Sequence, residues 1–210
     1  MKKEIVLSPE QLYYMGRLLQ AKYIDYAYVA AMDDINQNFS LFETEAKASL
    51  VAAGILMEDF GGNVEVDPVA LRVLKPIFFG ELETSIDICN IGETSTVCVH
   101  KYHFYDGAIT MVTGENGKLV IKATDQIAIH DQVESLISQT YDAEYRKVDT
   151  IDKSQITRFI AFKQIRVGIT SVVKTYVEAD RIFYQEVEES IESVTREQFV
   201  SDAFDVVKGE

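Results

Sequence analysis

Little in this sequence points to chemistry. Among 210 residues there are two cysteines and three histidines, and no nucleophile elbow, Gly-rich dinucleotide turn or HExxH helix. A chain of this length buries roughly 70% of the surface its unfolded form exposes, so it needs neither disulfide nor metal to fold. No apolar run approaches the ~18 residues that read as a bilayer span. After Met1 only Ile5, Val6 and Leu7 are apolar before Ser8-Pro9, which is not a signal peptide. Two cysteines and no export signal predict a cytoplasmic protein in a reducing compartment, with no membrane insertion. Basic residues are also short, with 20 Lys and Arg against 34 Asp and Glu and a net charge of −14. That balance argues against a nucleic-acid partner, which would need clustered cations for the phosphates.

The residue types that could carry chemistry are placed for packing. His100 and His103 lie three apart on a predicted strand and so point to opposite faces. His130 sits beside Asp131 on a predicted helix, an ordinary solvated position. Cys89 and Cys98 read as small packing residues on adjacent strands, facing away from Ile86 and Ile88. Gly114-Glu115-Asn116-Gly117-Lys118 lacks phosphate-loop spacing and has the residues of a hairpin turn. No catalytic, cofactor-binding or metal-ligating residue is assigned on this reading.

What is present is alternation. Leu82 to Ile137 strings strands together and closes with a helix. Ser85 to Ile88 and Val97 to His100 have the period of half-buried strands. A two-residue turn at Gly92-Glu93 would set Ile88 opposite Val97 and Ile86 opposite Val99. Asp106-Gly107 and Asn116-Gly117 mark further turns, and Thr124 opens a helix striped by Ile129, Val133, Leu136 and Ile137. The order recurs at the C-terminus. A strand is predicted from Ile165 to Val177, with a turn at Glu178-Ala179-Asp180 and short strands at Ile182 and Ile191. Thr195 then opens a helix striped by Val200, Ala203, Phe204 and Val207.

Three helix starts share one device, a polar cap answered by Gln three residues on: Ser8 with Gln11, Asp152 with Gln155, and Thr195 with Gln198. The first helix buries Leu12, Met15 and Leu19, and a short helix is expected near Ala27. Glu43 to Ala53 is a helix with Ala46, Leu50 and Ala53 inside, ended by a left-handed Gly54. Asp67-Pro68 caps a brief helix that stops at Lys75-Pro76, and Ile77 to Gly80 feed the sheet. The helix–Gly–strand order around Gly54 also suits a winged helix, but Glu43 and Glu45 leave the would-be reading helix acidic. The expected architecture is α+β: a twisted antiparallel sheet with flanking helices in one domain, residues 1–210, with related halves near 1–140 and 145–210.

Charge is uneven. Lys153 to Tyr176 carries five bases and no acid, whereas Val177 to Glu210 carries ten acids against three bases. Cross-strand pairing, with Arg166 opposite Glu192, accounts for this more simply than a recognition face does.

Ser8-Pro9-Glu10-Gln11-Leu12-Tyr13-Tyr14-Met15-Gly16-Arg17-Leu18-Leu19 resembles the N-terminal signature of EspG-like proteins, the cytosolic chaperones of type VII (ESX) secretion. Ala46 to Leu56 resembles their helix–Gly–Leu segment, and Val64 to Pro76, with Leu71 and Leu74, resembles the next stretch of those proteins. The chain is shorter than those relatives and offers Asp180-Arg181 where they have an Asp…Gly-Arg pattern. The resemblance implies a non-enzymatic chaperone or accessory protein with no cofactor, binding a helical secreted client through its sheet and C-terminal helices. Arg166, Val172, Tyr176 and Phe183 are the expected partner-binding residues, the last three on a sheet face that the last helix leaves uncovered. Homodimerisation is left open. The alternatives are a small-molecule-binding protein or enzyme with a site between the halves, and a winged-helix transcriptional accessory.

Overall fold

A computed structural model describes residues 4–30, 32, 39–92, 94–138, 141–187 and 190–208. The fold is α+β, with antiparallel strands flanked by helices, as the alternation and the cap signals predict. The chain forms two compact units, residues 1–81 with 103–124 and residues 82–102 with 125–210. They interleave in sequence, whereas the repeat reading cuts the chain once, near residue 140.

In the first unit strand β1 (Glu4–Leu7) pairs antiparallel with β7 (Lys118–Thr124), which pairs with β6 (Ala108–Glu115). Helix α1 (Pro9–Leu18) opens with the full capping box: the Gln11 N–H donates to Ser8 Oγ and the Ser8 N–H to Gln11 Oε1. It buries Leu12 and Met15, while Leu19, its C-cap, is only half-buried. The short α2 (Tyr26–Val29) lies where expected. Helix α3 (Phe39–Ala52) begins before Glu43 and buries Ala46 and Leu50, but Ala53 lies past its end and is exposed. Gly54, at φ 65°, lets two reversed bonds close the helix, Ile55 N–H to Leu50 O and Gly54 N–H to Val51 O.

Strands β2 (Leu56–Glu58) and β3 (Val64–Val66) form a small separate hairpin. Helix α4 (Pro68–Phe79) corrects an expectation, because it runs through Pro76 for another turn. Proline there removes one backbone bond and costs about 3 kcal/mol. Burial of Val73, Leu74, Ile77 and Phe78 offsets that loss. The helix stops at Gly80, where a side chain would stand 2.4 Å from Pro76 O and 2.6 Å from Phe104 O.

In the second unit the strands run in the order β4 (Leu82–Asn90), β9 (Ile156–Arg166), β10 (Ile169–Ala179), β11 (Ile182–Val187), β12 (Ser190–Ser193), β8 (Lys147–Val148). Strand β5 (Thr96–Tyr105) supplies its first residues to this unit, beside β4, and its last three to the other. The expected Gly92-Glu93 turn includes Glu93, outside the described residues, and Val97 is 70% exposed rather than facing a core. Helix α5 (Gln126–Ser135) is capped by Asp125 instead of Thr124 and buries the expected Ile129 and Val133, with Leu136 and Ile137 buried just past its end.

Asp152 does not start an α-helix. It caps a single 3-10 turn, Lys153–Gln155, and Ile156 enters β9 at once. A cap satisfies N–H groups at any tight turn, and the β-branched, aromatic run after it prefers a strand. Thr195 does cap helix α6 (Arg196–Val207). Its buried stripe is Phe199, Ala203, Val206 and Val207, so Val200 and Phe204 lie at its edges. In chain order four strands then a helix occur twice, β4 to α5 and β9 to α6.

Candidate partner-binding surface

Strands β9 and β10 are one hairpin of two eleven-residue strands. The stretch expected to run unbroken from Ile165 to Val177 turns back at Val167-Gly168, with φ of 49° and 75°. Two successive left-handed residues match the right-handed twist of a hairpin. Asp106-Gly107, Asn116-Gly117 and Asp180-Arg181 do the same. Valine is ill suited to that conformation, at a cost of about 1–2 kcal/mol, which is why its turn carried no sequence signal.

Alternation divides the hairpin's side chains between two faces. Ile88, Ile160 and Tyr176 are cross-strand neighbours on one face, as are Ile86 and Phe162. Helix α6 covers them. Its Phe199 ring stands 4.7 Å from Tyr176, 4.7 Å from Phe183 and 5.5 Å from Phe162, centre to centre. Tyr176 and Phe183 are each 1% exposed. The Tyr176 hydroxyl donates to Asp202 Oδ2 at 3.1 Å, and burial, with the Asp202 charge added, raises its pKa. The expectation that the last helix leaves Tyr176 and Phe183 uncovered is therefore corrected. The side chain of Val172 lies outside what is described; its backbone pairs with Gln164.

Arg166 is exposed at the end of β9 and pairs with Ile169 across the turn and with Leu82 on β4. It does not face Glu192, because the hairpin turns earlier than expected. Glu192 is held by Lys147 at 2.9 Å, a contact that keeps its carboxyl below the usual range. Cross-strand pairing absorbs Arg158, with Glu178 at 2.7 Å, and Lys163, with Asp87, while Lys174 lies 4.0 Å from Asp202 on α6.

The second face carries the rows Cys89–Phe159–Val177, Asp87–Ala161–Thr175 and Ser85–Lys163–Val173. Phe159 is 41% and Val173 48% exposed, Thr175 is exposed, and Ala161 and Val177 are half-buried. At the tip Val167 is 63% exposed, and Ile169, 73% exposed, pairs with Arg166 in the register of the other face. This surface is apolar at its centre and crossed by the Lys163–Asp87 ion pair. Sequence reasoning missed Phe159, Val173, Val167 and Ile169. Gly168 in mid-strand was the available clue to the turn.

A groove of about 470 Å³ elsewhere in this unit is lined by Ser138, Tyr141, Asp142, Ala143, Asp180, Arg181 and Ile182. Its buried polar group is already committed, since the Tyr141 hydroxyl donates to Val194 O at 2.6 Å and accepts from the Phe183 N–H at 3.1 Å. That role is structural. Among the described residues no helix is long and apolar enough to cross a membrane.

No protein-family model matches the sequence, and no curated protein matches it either. Among solved structures the chain is similar to one described as the Mycobacterium tuberculosis type VII secretion system chaperone EspG5 in complex with the PE25-PPE41 dimer. The TM-score is 0.63 at 8% sequence identity, over 98% of this chain and 96% of that one. The likeness is one of fold, and it is EspG-like.

Proposed function

We propose that this protein is a cytoplasmic chaperone or accessory factor of a type VII-like secretion system. It binds a helical secreted protein on the exposed face of the β9–β10 hairpin and performs no catalysis. The observation that carries this reading is the likeness of fold, nearly end to end in both chains, to a type VII secretion system chaperone solved in complex with the PE25-PPE41 dimer. The surface chemistry supports it. Phe159, Val173 and Val177 are apolar and at least partly exposed, with the Lys163–Asp87 pair among them, a mixture of apolar and charged groups suited to a protein interface. Lys153 to Tyr176 contains no acid, and Glu178, the hairpin's one acid, is paired with Arg158. Arg166 and Val172 follow the register of Phe162 and Tyr176 and not that of Val173, so neither is assigned a contact on this face. Tyr176 and Phe183 act from beneath, by fixing the strand on α6.

The test is capture from the native cytoplasm with tagged protein, comparing the wild type with Val173→Asp and Phe159→Asp. The expected result is recovery of a small helical secreted protein, reduced at least tenfold by either substitution. Recovery of only a metabolite or DNA, or capture indifferent to both substitutions, would overturn the proposal.

A further inference from the structure

We infer that the free edge of β1 pairs with the same edge of a second copy of this chain, antiparallel about a twofold axis. Strand β1 stands at the end of its strand order and has β7 as its one ladder partner among the described residues. An unpaired edge is a template for another strand, and proteins blunt such edges with a bulge, a proline, a charge or a very short strand. Strand β8, at the end of the second unit's order, is blunted by having only two residues. Strand β1 has four and no proline. Its register with β7 runs from Glu4–Lys122 to Leu7–Leu119 without a shift. Its one charge, Glu4, is already answered by Lys122 at 2.8 Å.

Burial identifies the groups that are free. Successive residues of an edge strand turn their N–H and C=O groups alternately toward the sheet and away from it. Ile5 and Leu7 are 2% and 0% exposed, main chain included, so their groups face β7. Those left at the edge belong to Glu4 and Val6, and both residues are exposed. Directly opposed residues share a face of the sheet, which leaves two registers about the axis. With Val6 opposite Val6, Glu4 would meet Ser8, whose N–H already donates to Gln11 Oε1 at 2.8 Å and whose O accepts from the Leu12 N–H at 3.0 Å. With Ile5 opposite Ile5, Glu4 of each copy meets Val6 of the other. Every free group then finds a partner, since such opposed residues exchange both N–H···O bonds. The second register therefore holds.

The occupant is a second copy because this edge is its own complement: one contact, made twice, closes a dimer. The chain's net charge of −14 opposes association in general, but the Glu4–Lys122 pair leaves the edge itself neutral. A seam of one short strand is small, so the dimer is weak and depends on concentration. Strand β1 belongs to the first unit and the β9–β10 hairpin to the second, so pairing at this edge does not depend on client binding.

Sedimentation velocity of the full chain over a range of concentrations is expected to show a monomer–dimer equilibrium, weakened at least tenfold by Val6→Pro. Proline is tolerated on an edge strand where the N–H points away from the sheet, so the melting curve of this variant should stay close to that of the wild type. A gross loss of stability would place the Val6 N–H on β7 and overturn the pairing. In a background of Cys89→Ser and Cys98→Ser, a mixture of Glu4→Cys and Val6→Cys chains under mild oxidation should form the mixed disulfide at least tenfold faster than either variant links to itself. Opposed Cα atoms lie about 5.5 Å apart, within the limit of about 7 Å for a disulfide, whereas like residues are offset along the strands. A chain that stays monomeric and forms no mixed disulfide, or a dimer that survives Val6→Pro, would overturn the proposal. A monomer whose Val6→Pro variant loses client capture would give the edge to the client instead, and would overturn it too.

Discussion

The two faces of the β9–β10 hairpin alternate along the same strands, yet one is core and the other is surface. Beneath α6, Phe162, Tyr176 and Phe183 gather around Phe199 and are almost fully buried. On the reverse, Phe159 and Val173 keep 41% and 48% of their surface in solvent. The residue types are alike. What separates the faces is where the last helix docks, and Tyr176 shows how that docking is fixed: its ring packs on Phe199 while its hydroxyl reaches Asp202, one turn further along α6.

The largest effect should come from breaking the covered face. Phe199→Ala removes the ring that joins three others and is expected to cost about 3–5 kcal/mol in urea unfolding. Tyr176→Asp places a carboxylate in the same layer and should do at least as much damage. A Tyr176→Asp protein that stays folded but loses its client would mean the two faces have been assigned the wrong way round.

A smaller effect belongs to the tip that both faces share. Val167→Asn puts an Asn-Gly pair into a turn whose φ values are 49° and 75°, and should raise stability by about 1 kcal/mol. A loss of stability would show that packing of the valine outweighs its backbone conformation. The smallest expected change is on the exposed face. Val173→Asp should stay within about 0.5 kcal/mol of the wild type although it strips the patch of an apolar anchor. A cost of several kcal/mol there would make that face core as well.

Much of the fold was legible in the sequence because its signals are local. The Ser8 capping box, the short helix near Ala27, the left-handed Gly54, the turns at Asp106-Gly107 and Asn116-Gly117, and the Thr195 cap all depend on residues within one turn of each other. The misreadings arose where distant contacts overrode local preference. Pro76 sits inside α4 because that helix buries a full apolar face. Asp152 caps a turn that leads into a strand, since the residues after it pair with β4 and β10. Val167 accepts a left-handed backbone because the long ladders on either side require the chain to reverse there.

The candidate surface was less legible than the fold. Arg166 is exposed but does not face Glu192 as expected, and Tyr176 and Phe183 lie on the face that α6 covers. Alternation says that Phe159 and Ile160 point apart; it is symmetric and does not say which of them meets a helix.

By itself, then, the sequence determined the class of fold, the positions of most turns and helix starts, and the acidic, chemistry-poor character of the chain. These come from dihedral preference, hydrogen-bond capping and side-chain period, which act over a few residues. The tertiary structure alone decided the hairpin at Val167-Gly168, the ion-pair partners of the basic stretch, the free edge of β1, and the exposed face of the sheet. Each of those depends on which segments come together when apolar surface leaves water, and that is a property of the whole chain.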